Sequence, residues 1–587
     1  MSCGLGGALG ICCWGSSDRD YAVRSSPLLG SGKTDRENGR VAPLTLLLAL
    51  FAATIVLGPA AERLKLPYPI LLLVFGLLVA FVPGLPRLDI SPDLILPLVL
   101  PPLLFAAARR TSWREFLDNR RAIGLLAVAL VIVTTMVVGF LLQALVPGLP
   151  LIAAIALGAL VAPPDPVAAT AVARQLRLPR RLTTILEGEG LSNDATALVL
   201  YEVAVAGTLT GALSPWGAAG TFALAVVLGI VIGLVIALFT RWVLNKLPAH
   251  PAGTALVLVM PFVAYVAADA AHGSGVLSVV TLALALSRYA DAESAQTRLM
   301  AGTTWEIIEL LVTGAAFAFV GLELRAVAQD VSGDLSVLVT QAAIVTAVVI
   351  VVRFVWIFPV AWLDEKIHAR GGEPPAEPVG WREMTVASWA GMRGVVTLAA
   401  ALALPSTDEG FPERDRLIFI SFVVIIVTLL LQGLTLPLLV RRLGIQAPVE
   451  QQQVAEREMT QRALRAGFQR LDDIRSRGDV DDGLIDQAHD NAKALWHRLG
   501  LDPAEKSDDT EGAANESPSS RAHRAWRVDE LEAELLKAAR QEVVNARDEP
   551  GGDPKVADDV LRRLDARSAQ PGVLPDPDDE GARDESR

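Results

Sequence analysis

Long apolar stretches separated by short polar loops fill the chain from about residue 42 to residue 440. Thirteen of these stretches come close to the ~20 residues that an α-helix needs to cross a bilayer, so the pattern predicts thirteen transmembrane helices. Proline and glycine mark most of the connections, as in Pro147-Gly148-Leu149-Pro150. The predicted helices cover residues 42–60, 68–84, 92–108, 122–146, 150–173, 182–209, 216–244, 252–270, 274–288, 303–324, 335–362, 383–404 and 416–440.

The two ends of the chain are polar. Residues 1–40 contain no apolar run long enough to span a membrane, and we expect a disordered N-terminal tail. Residues 41–442 are the predicted transmembrane domain, and residues 443–587 are a predicted soluble tail, part helical and part disordered. Within that tail, apolar residues at three- and four-residue spacing predict a helix over 450–476. A second helix is expected over 523–547.

Composition supports a polytopic membrane protein. The chain is 52% hydrophobic and only 20% charged, with a mean hydropathy of +0.43. The net charge of −12 leaves no basic face for nucleic acid, so a nucleic-acid partner is not expected. The three cysteines, Cys3, Cys12 and Cys13, lie near the N-terminus, and the body of the protein therefore has no cysteine for a disulfide or a metal site.

Basic residues are concentrated in alternate loops and predict the orientation. The loops after the first, third and fifth predicted helices carry Arg63, Arg109 with Arg110, and Arg180 with Arg181, whereas the intervening loops are poor in arginine and lysine. Cytoplasmic loops carry the excess of basic residues. The prediction is a multi-pass protein of the cytoplasmic membrane, surrounded by lipid bilayer, with its C-terminal tail in the cytoplasm.

One apolar stretch, residues 182–200, contains Glu189, Asn193 and Asp194. An ionisable group at bilayer depth is expensive and tends to persist where it is paired or functional. Shortly before it, Pro163-Pro164-Asp165-Pro166 forbids a continuous helix and leaves backbone carbonyls unpaired. Irregular backbone at membrane depth is tolerated where it lines a cavity or is buried in protein. Carboxylate, amide and free carbonyl oxygens together predict a site for a monovalent cation.

The charge on Asp194 suggests a transport mechanism. A deprotonated Asp194 is costly to move past a dry barrier, whereas a protonated or cation-loaded Asp194 is nearly neutral. The carrier would then change sides only when loaded, which gives alternating access without leak. Each cycle exchanges one proton for one cation, so the predicted exchange is electroneutral. No cofactor is expected.

Two arginines lie well inside late apolar segments, Arg353 and Arg393. Each needs a buried acceptor, because an unpaired buried charge is expensive. Glu189 is the expected partner of Arg393, in a structural ion pair. Gly391 and Gly394 flank Arg393 and would allow neighbouring helices to approach closely.

These motifs together resemble a known family. The sequences ILEGEGLSNDATAL (185–198), PPDPVAA (163–169) and GMRGVV (391–396) are similar to those of the monovalent cation:proton antiporters, family 1, which include bacterial sodium/proton exchangers. The resemblance covers roughly residues 42–442. It implies an all-α polytopic fold of about 13 transmembrane helices, with inverted repeats and broken crossing helices. It also implies a homodimer with a moving six-helix core.

The resemblance further implies site roles. Asp194 would carry the cation and the proton, Asp165 would line the unwound crossing, and Glu189 would pair with Arg393. Three side-chain oxygens typical of the family are absent, because this chain has Ala106, Pro164 and Gly190 at the corresponding positions. Ser192 and Asn193 are the neighbouring candidate ligands. The choice among sodium, potassium and lithium stays open.

Other function classes fit less well. A cation-coupled symporter of a small organic solute shares the midplane acid, but it would want polar or aromatic selectors around Asp194, and none stands out. An intramembrane hydrolase with Asp165 and Asp194 as its acid pair would also need a nucleophile or a metal-ligand set. A passive channel does not need a carboxylate that must be loaded before it moves. The expected protein is therefore an antiporter and not an enzyme.

Overall fold

A computed structural model describes residues 34–64, 66–83, 92–111, 116–117, 119–176, 178–211, 215–246, 251–288, 295–331, 333–371, 380–445, 449–478, 480–498, 518–548 and 554–568. Within these ranges all regular secondary structure is helical and no strand occurs. The all-α prediction is confirmed. The N-terminal tail predicted to be disordered covers residues 1–40. Residues 1–33 lie outside the described residues, whereas residues 34–40 belong to the first helix, which begins at Thr34.

The membrane part contains fifteen described helices of more than five residues. They are α1 (Thr34–Leu64), α2 (Tyr68–Ala80), α3 (Pro92–Arg110), α4 (Arg120–Leu145), α5 (Leu151–Val161), α6 (Pro166–Leu176), α7 (Arg180–Thr210), α8 (Pro215–Leu244), α9 (Pro251–Ala270), α10 (Gly275–Arg288), α11 (Ala295–Asp330), α12 (Leu335–Gly371), α13 (Trp381–Trp389), α14 (Val395–Leu402) and α15 (Arg414–Leu443). A π-helical segment, Leu125–Leu130, interrupts α4.

Two of the predicted apolar segments are each folded as a pair of short helices. The segment predicted over 150–173 forms α5 and α6, which are separated at residues 162–165 as its prolines require. The segment predicted over 383–404 forms α13 and α14, separated at residues 390–394. Six described helices are long and apolar enough to cross a membrane, and three more are shorter but apolar. The count of thirteen crossings and the inverted repeats stay predictions.

Close helix contacts pack these elements together. The most extensive is between α2 and α11, where Gly76 and Gly321 face each other's backbone. A Cβ atom built on Gly321 would lie 2.8 Å from the carbonyl carbon of Gly76. Small residues allow membrane helices to approach in this way. The two breaks lie among α4, α5, α7, α12 and α15, inside the largest apolar core.

The C-terminal tail is a small helical bundle. Its helices are α16 (Val449–Arg477), α17 (Asp482–Arg498), α18 (Pro518–Asp548) and α19 (Pro554–Ser568). The helices predicted over 450–476 and 523–547 correspond to α16 and α18, whereas α17 and α19 were not predicted. The bundle has its own core, which includes Leu471, Ile485 and Leu535. Residues beyond 568 lie outside the described part of the chain.

Candidate functional site

The predicted carrier residues lie in the middle of α7. Asp194 is 3% exposed and Asn193 is fully buried. The Asn193 amide Nδ2 donates a hydrogen bond of 2.9 Å to the carbonyl oxygen of Pro164, in the break between α5 and α6. The carbonyl is available because the prolines interrupt the helical hydrogen-bond pattern. Asn193 therefore connects α7 directly to the unwound chain.

Two oxygens at this point have no hydrogen-bond partner among the described residues. They are Oδ1 of Asn193 and Oδ2 of Asp194, which belong to consecutive residues. Buried polar atoms are nearly always satisfied, so an unsatisfied pair calls for an explanation. Carboxylate and amide oxygens are ligands that a hard cation accepts. The two unsatisfied oxygens are therefore candidate ligands for a cation, and the Asp194 carboxylate is a candidate carrier of a proton.

Asp165 lies at the N-terminal end of α6. Its Oδ1 accepts hydrogen bonds from the backbone N–H of Val167 at 2.7 Å and of Ala168 at 3.4 Å. The same carboxylate lies against Gly394, the residue directly before α14, where a Cβ atom would overlap it. Helix N-termini stabilise negative charge. Asp165 thus lies at the N-terminal ends of two half-helices, α6 and α14. Its expected role as a cation ligand stays a prediction.

Arg393 occupies the complementary position at C-terminal ends. Its Nε donates to the carbonyl oxygen of Val161, the last residue of α5, at 2.6 Å, and its guanidinium also donates to the carbonyl of Gly391, just beyond α13. Cations are favoured at helix C-termini. The two breaks also bind each other through the Asp165 N–H and the Met392 carbonyl, at 2.7 Å. We call these two breaks, residues 162–165 and 390–394, the crossing. The crossing has one acid at N-terminal helix ends and one base at C-terminal helix ends.

The predicted ion pair between Glu189 and Arg393 is wrong. Glu189 forms a bidentate ion pair with Arg353 of α12, including an Nη2–Oε2 hydrogen bond of 2.7 Å. Both residues are buried. Arg353 also donates to the carbonyl of Ala387 at 3.0 Å. Arg393 does not need the carboxylate, because the broken helices supply it with free carbonyls.

Two glycines and one threonine complete the crossing. A Cβ atom on Gly391 would lie 2.7 Å from Cδ of Arg353, and a Cβ atom on Gly394 would overlap the Asp165 carboxylate. Both glycines thus make room for charged side chains. The hydroxyl of Thr428 on α15 accepts a hydrogen bond of 3.1 Å from the Arg393 backbone N–H. Sequence reasoning missed Thr428, since one threonine in an apolar helix carries no signal of its own.

The positions that lack the family's oxygens are apolar here. Ala106 on α3 is buried in one cluster with Leu191 and Ala195, which precede and follow the Asn193–Asp194 pair on α7. Gly190 and the half-buried Ser192 lie on the same turn of α7. Among the described residues no hydrogen bond of the Ser192 hydroxyl defines its role, and its assignment as a ligand stays a prediction.

Comparison with known proteins identifies the family. The family model described as sodium/hydrogen exchanger, transmembrane, matches residues 48–442. The chain belongs to this family. An uncharacterised Na⁺/H⁺ exchanger from Mycobacterium tuberculosis is 36% identical over 417 residues, which are 70% of this chain and 76% of that protein. A sodium, potassium, lithium and rubidium/H⁺ antiporter from Bacillus pumilus is 33% identical over 421 residues, 69% of this chain and 62% of that protein.

A solved structure supports the fold independently. The sodium proton antiporter MjNhaP1 from Methanocaldococcus jannaschii matches with a TM-score of 0.52 at 18% identity, covering 69% of this exchanger and 99% of that chain. The family model and the relatives of similar sequence show that the exchanger is a multi-pass membrane protein that couples protons to monovalent cations. The antiporter prediction is confirmed, and none of these comparisons supports the symporter alternative.

Proposed function

We propose that this exchanger uses Asp194 as the shared carrier of the proton and the cation. The observation that carries the proposal is the pair of buried oxygens without partners, Asn193 Oδ1 and Asp194 Oδ2, beside the broken helix. A cation bound by both oxygens would satisfy them, and a proton on Asp194 would remove its uncompensated charge. Because the two ligands compete for the same oxygens, they are carried in alternate halves of the cycle.

The neighbouring charges support electroneutral exchange. Glu189 and Arg353 neutralise each other, whereas Asp165 is hydrogen-bonded to backbone N–H groups and Arg393 to backbone carbonyls at helix ends. Asp165 is stabilised by backbone N–H groups, whereas Oδ2 of Asp194 has no hydrogen-bond partner among the described residues, so Asp194 is the proposed titrating carboxylate. One titrating carboxylate exchanges one proton for one monovalent cation, so each cycle moves no net charge.

The cation and its other ligands belong to the same proposal. We assign sodium as the transported cation, with potassium and lithium as alternatives, since relatives include a sodium, potassium, lithium and rubidium/H⁺ antiporter. Asp165 and Ser192 are the further candidate ligands. The absence of a carboxylate at Ala106 supports weaker discrimination between these cations, because fewer fixed oxygens define the size of the site.

The cellular setting of the proposal follows from charge and family. The basic loops favour the cytoplasmic membrane with the C-terminal tail in the cytoplasm. The domain division into an N-terminal tail, a transmembrane exchanger domain over 41–442 and a cytoplasmic tail over 443–587 is part of the proposal. So is the homodimer, which rests on the family resemblance.

Proton flux in proteoliposomes tests the carrier. Adding sodium, potassium or lithium to vesicles with an imposed pH gradient should dissipate the gradient for wild type, and Asp194→Asn should abolish this response. Because protons and cations compete, the apparent KM for the active cation should fall as the pH rises. Valinomycin with potassium, which clamps the membrane potential, should leave the sodium-driven rate unchanged if exchange is electroneutral.

The matched control is Asp334→Asn, which neutralises a carboxylate exposed in the turn before α12. This variant should keep the wild-type rate. Cation-driven flux that survives in Asp194→Asn would move the carrier elsewhere, with Asp165 the next residue to test. A rate that depends on the membrane potential would contradict one-for-one exchange.

A further inference from the structure

The buried face of α4 repeats every four residues. Leu126, Leu130, Thr134, Val138 and Leu142 all lie on it. In a regular helix with 3.6 residues per turn, a four-residue row drifts by about 40° at each step. A row of this length would therefore turn away from the core. The π-helical segment at Leu125–Leu130 has a wider turn, which takes up part of this drift and keeps the row facing inward.

The π segment lies at the depth of the cation site. Just before it, Ile123 packs against Gly188 of α7. A Cβ atom built on Gly188 would lie 2.8 Å from Ile123 Cγ1. Just after it, Val131 packs in one cluster with Ala162 and Ala197. Ala162 directly precedes the break between α5 and α6, and Ala197 follows Asp194 by one turn. The π segment therefore spans the stretch of α7 that carries Asn193 and Asp194.

A single side chain from α12 binds the start of this segment. The indole Nε1 of Trp356 donates a hydrogen bond of 3.2 Å to the carbonyl oxygen of Leu125. One turn earlier on the same helix, Arg353 binds Glu189 of α7. At the far end of α4, Gln341 of α12 donates to the carbonyl of Leu145 at 2.8 Å. α12 thus holds α4 at both ends, and one of these contacts is at the π segment.

We propose that Trp356 is a positioning residue for cation exchange. Its indole N–H holds α4 in the π conformation beside the Asn193–Asp194 pair. It thereby fixes the surface of α4 that packs against the cation site. Trp356 acts through the backbone of α4 and not by contact with the cation. This inference rests on the proposed function, because it assumes that Asp194 is where the cation binds.

Trp356→Phe tests the inference, since it keeps an aromatic ring and removes the donor. The loss of one hydrogen bond should raise the apparent KM for the active cation about three- to tenfold. The pH at which exchange is half-maximal should shift with it, while the maximal rate changes less. Gln341→Leu is the matched control, because it removes the same kind of α12–α4 hydrogen bond away from the site; its KM and pH profile should stay within about twofold of wild type.

The outcomes separate this inference from the proposed function. Absence of cation-driven flux in wild type would overturn the proposed function itself. Normal wild-type exchange with an unchanged KM and pH profile in Trp356→Phe would overturn only the role of Trp356, as would an equal shift in Gln341→Leu. If Trp356→Phe does not fold, amide hydrogen exchange of the wild-type protein replaces it. The cation should then slow exchange over residues 125–131 and not over 141–145, and equal behaviour of the two segments would overturn the inference.

Discussion

Glu189, Arg353 and Arg393 form one buried cluster, and the backbone determines which arginine takes the carboxylate. Arg353 extends from the continuous helix α12; its Nε donates to the Ala387 carbonyl and its two Nη atoms bind the Glu189 carboxylate. Arg393 lies in the break between α13 and α14, beside carbonyls with no helical partner. Free carbonyls at broken helices therefore serve two purposes in this protein, since some bind the arginine and one binds Asn193.

A double-mutant cycle at this residue scale measures the pairing. Arg353→Ala leaves Glu189 buried without its partner and should lower the free energy of unfolding by about 3–5 kcal/mol. Combining Arg353→Ala with Glu189→Ala should be much less harmful than the sum of the single changes. The same cycle between Glu189 and Arg393 should show a smaller coupling energy. Thermal unfolding of detergent-purified variants provides the measurement, and a larger coupling to Arg393 would contradict the observed pairing.

The sequence identifies the site residues but does not rank their partners. Asp194, Asn193 and Asp165 stand out because polar groups in an apolar helix, or beside consecutive prolines, are conspicuous. The assignment of Glu189 failed because two buried arginines competed for one visible acid. The acceptors that decide the outcome are main-chain carbonyls at the two breaks, those of Val161 and Gly391, and the sequence does not show that Arg393 reaches them.

At the scale of helices, one of the two helix breaks can be predicted from proline residues and the other cannot. The break after α5 is predictable from Pro163, Pro164 and Pro166, because proline removes backbone donors. The break after α13 contains no proline. It is stabilised by contacts from other helices, such as the Thr428 hydroxyl. Such contacts are not visible in the sequence, so the sequence does not locate this break. The π segment of α4 likewise leaves only a faint four-residue repeat in the sequence.

The contact between α2 and α11 yields a prediction at this scale. Gly321→Ala would force a methyl group against the backbone of α2, within 2.8 Å of the Gly76 carbonyl carbon, and should destabilise the protein by about 1–3 kcal/mol. Gly302→Ala on the same helix is the control, since its Cβ would meet no atom within 4 Å. This control should be neutral or slightly stabilising, because alanine favours helix more than glycine does. Equal thermal unfolding temperatures for the two variants would contradict close packing at Gly321.

At the scale of the whole molecule, the tail bundle is attached to the membrane part. Asp565 of α19 is buried and forms a bidentate ion pair with Arg298 at the start of α11, with both N–O distances at 2.9 Å. Arg540 of α18 lies 3.8 Å from the same carboxylate, and Arg547 donates to the Ser287 carbonyl of α10 at 3.5 Å. The sequence suggested a helical tail but not this attachment, because its partners are more than 250 residues apart in the chain.

Charge reversal tests the attachment of the tail. Arg298→Asp places like charges together and should release α19, so amide hydrogen exchange over Pro554–Ser568 should become at least about tenfold faster, as expected for hydrogen bonds between charged groups. Adding Asp565→Arg restores opposite charges and should return most of the protection. Reversing the exposed pair Asp559–Arg562, which lies within α19 itself, is the control and should leave this exchange nearly unchanged. Because exposed pairs contribute little and a buried pair much more, the Arg298–Asp565 reversal should affect the attachment far more than the Asp559–Arg562 reversal. Unchanged protection in Arg298→Asp would mean that apolar contacts between α19 and α11 suffice to hold the bundle in place.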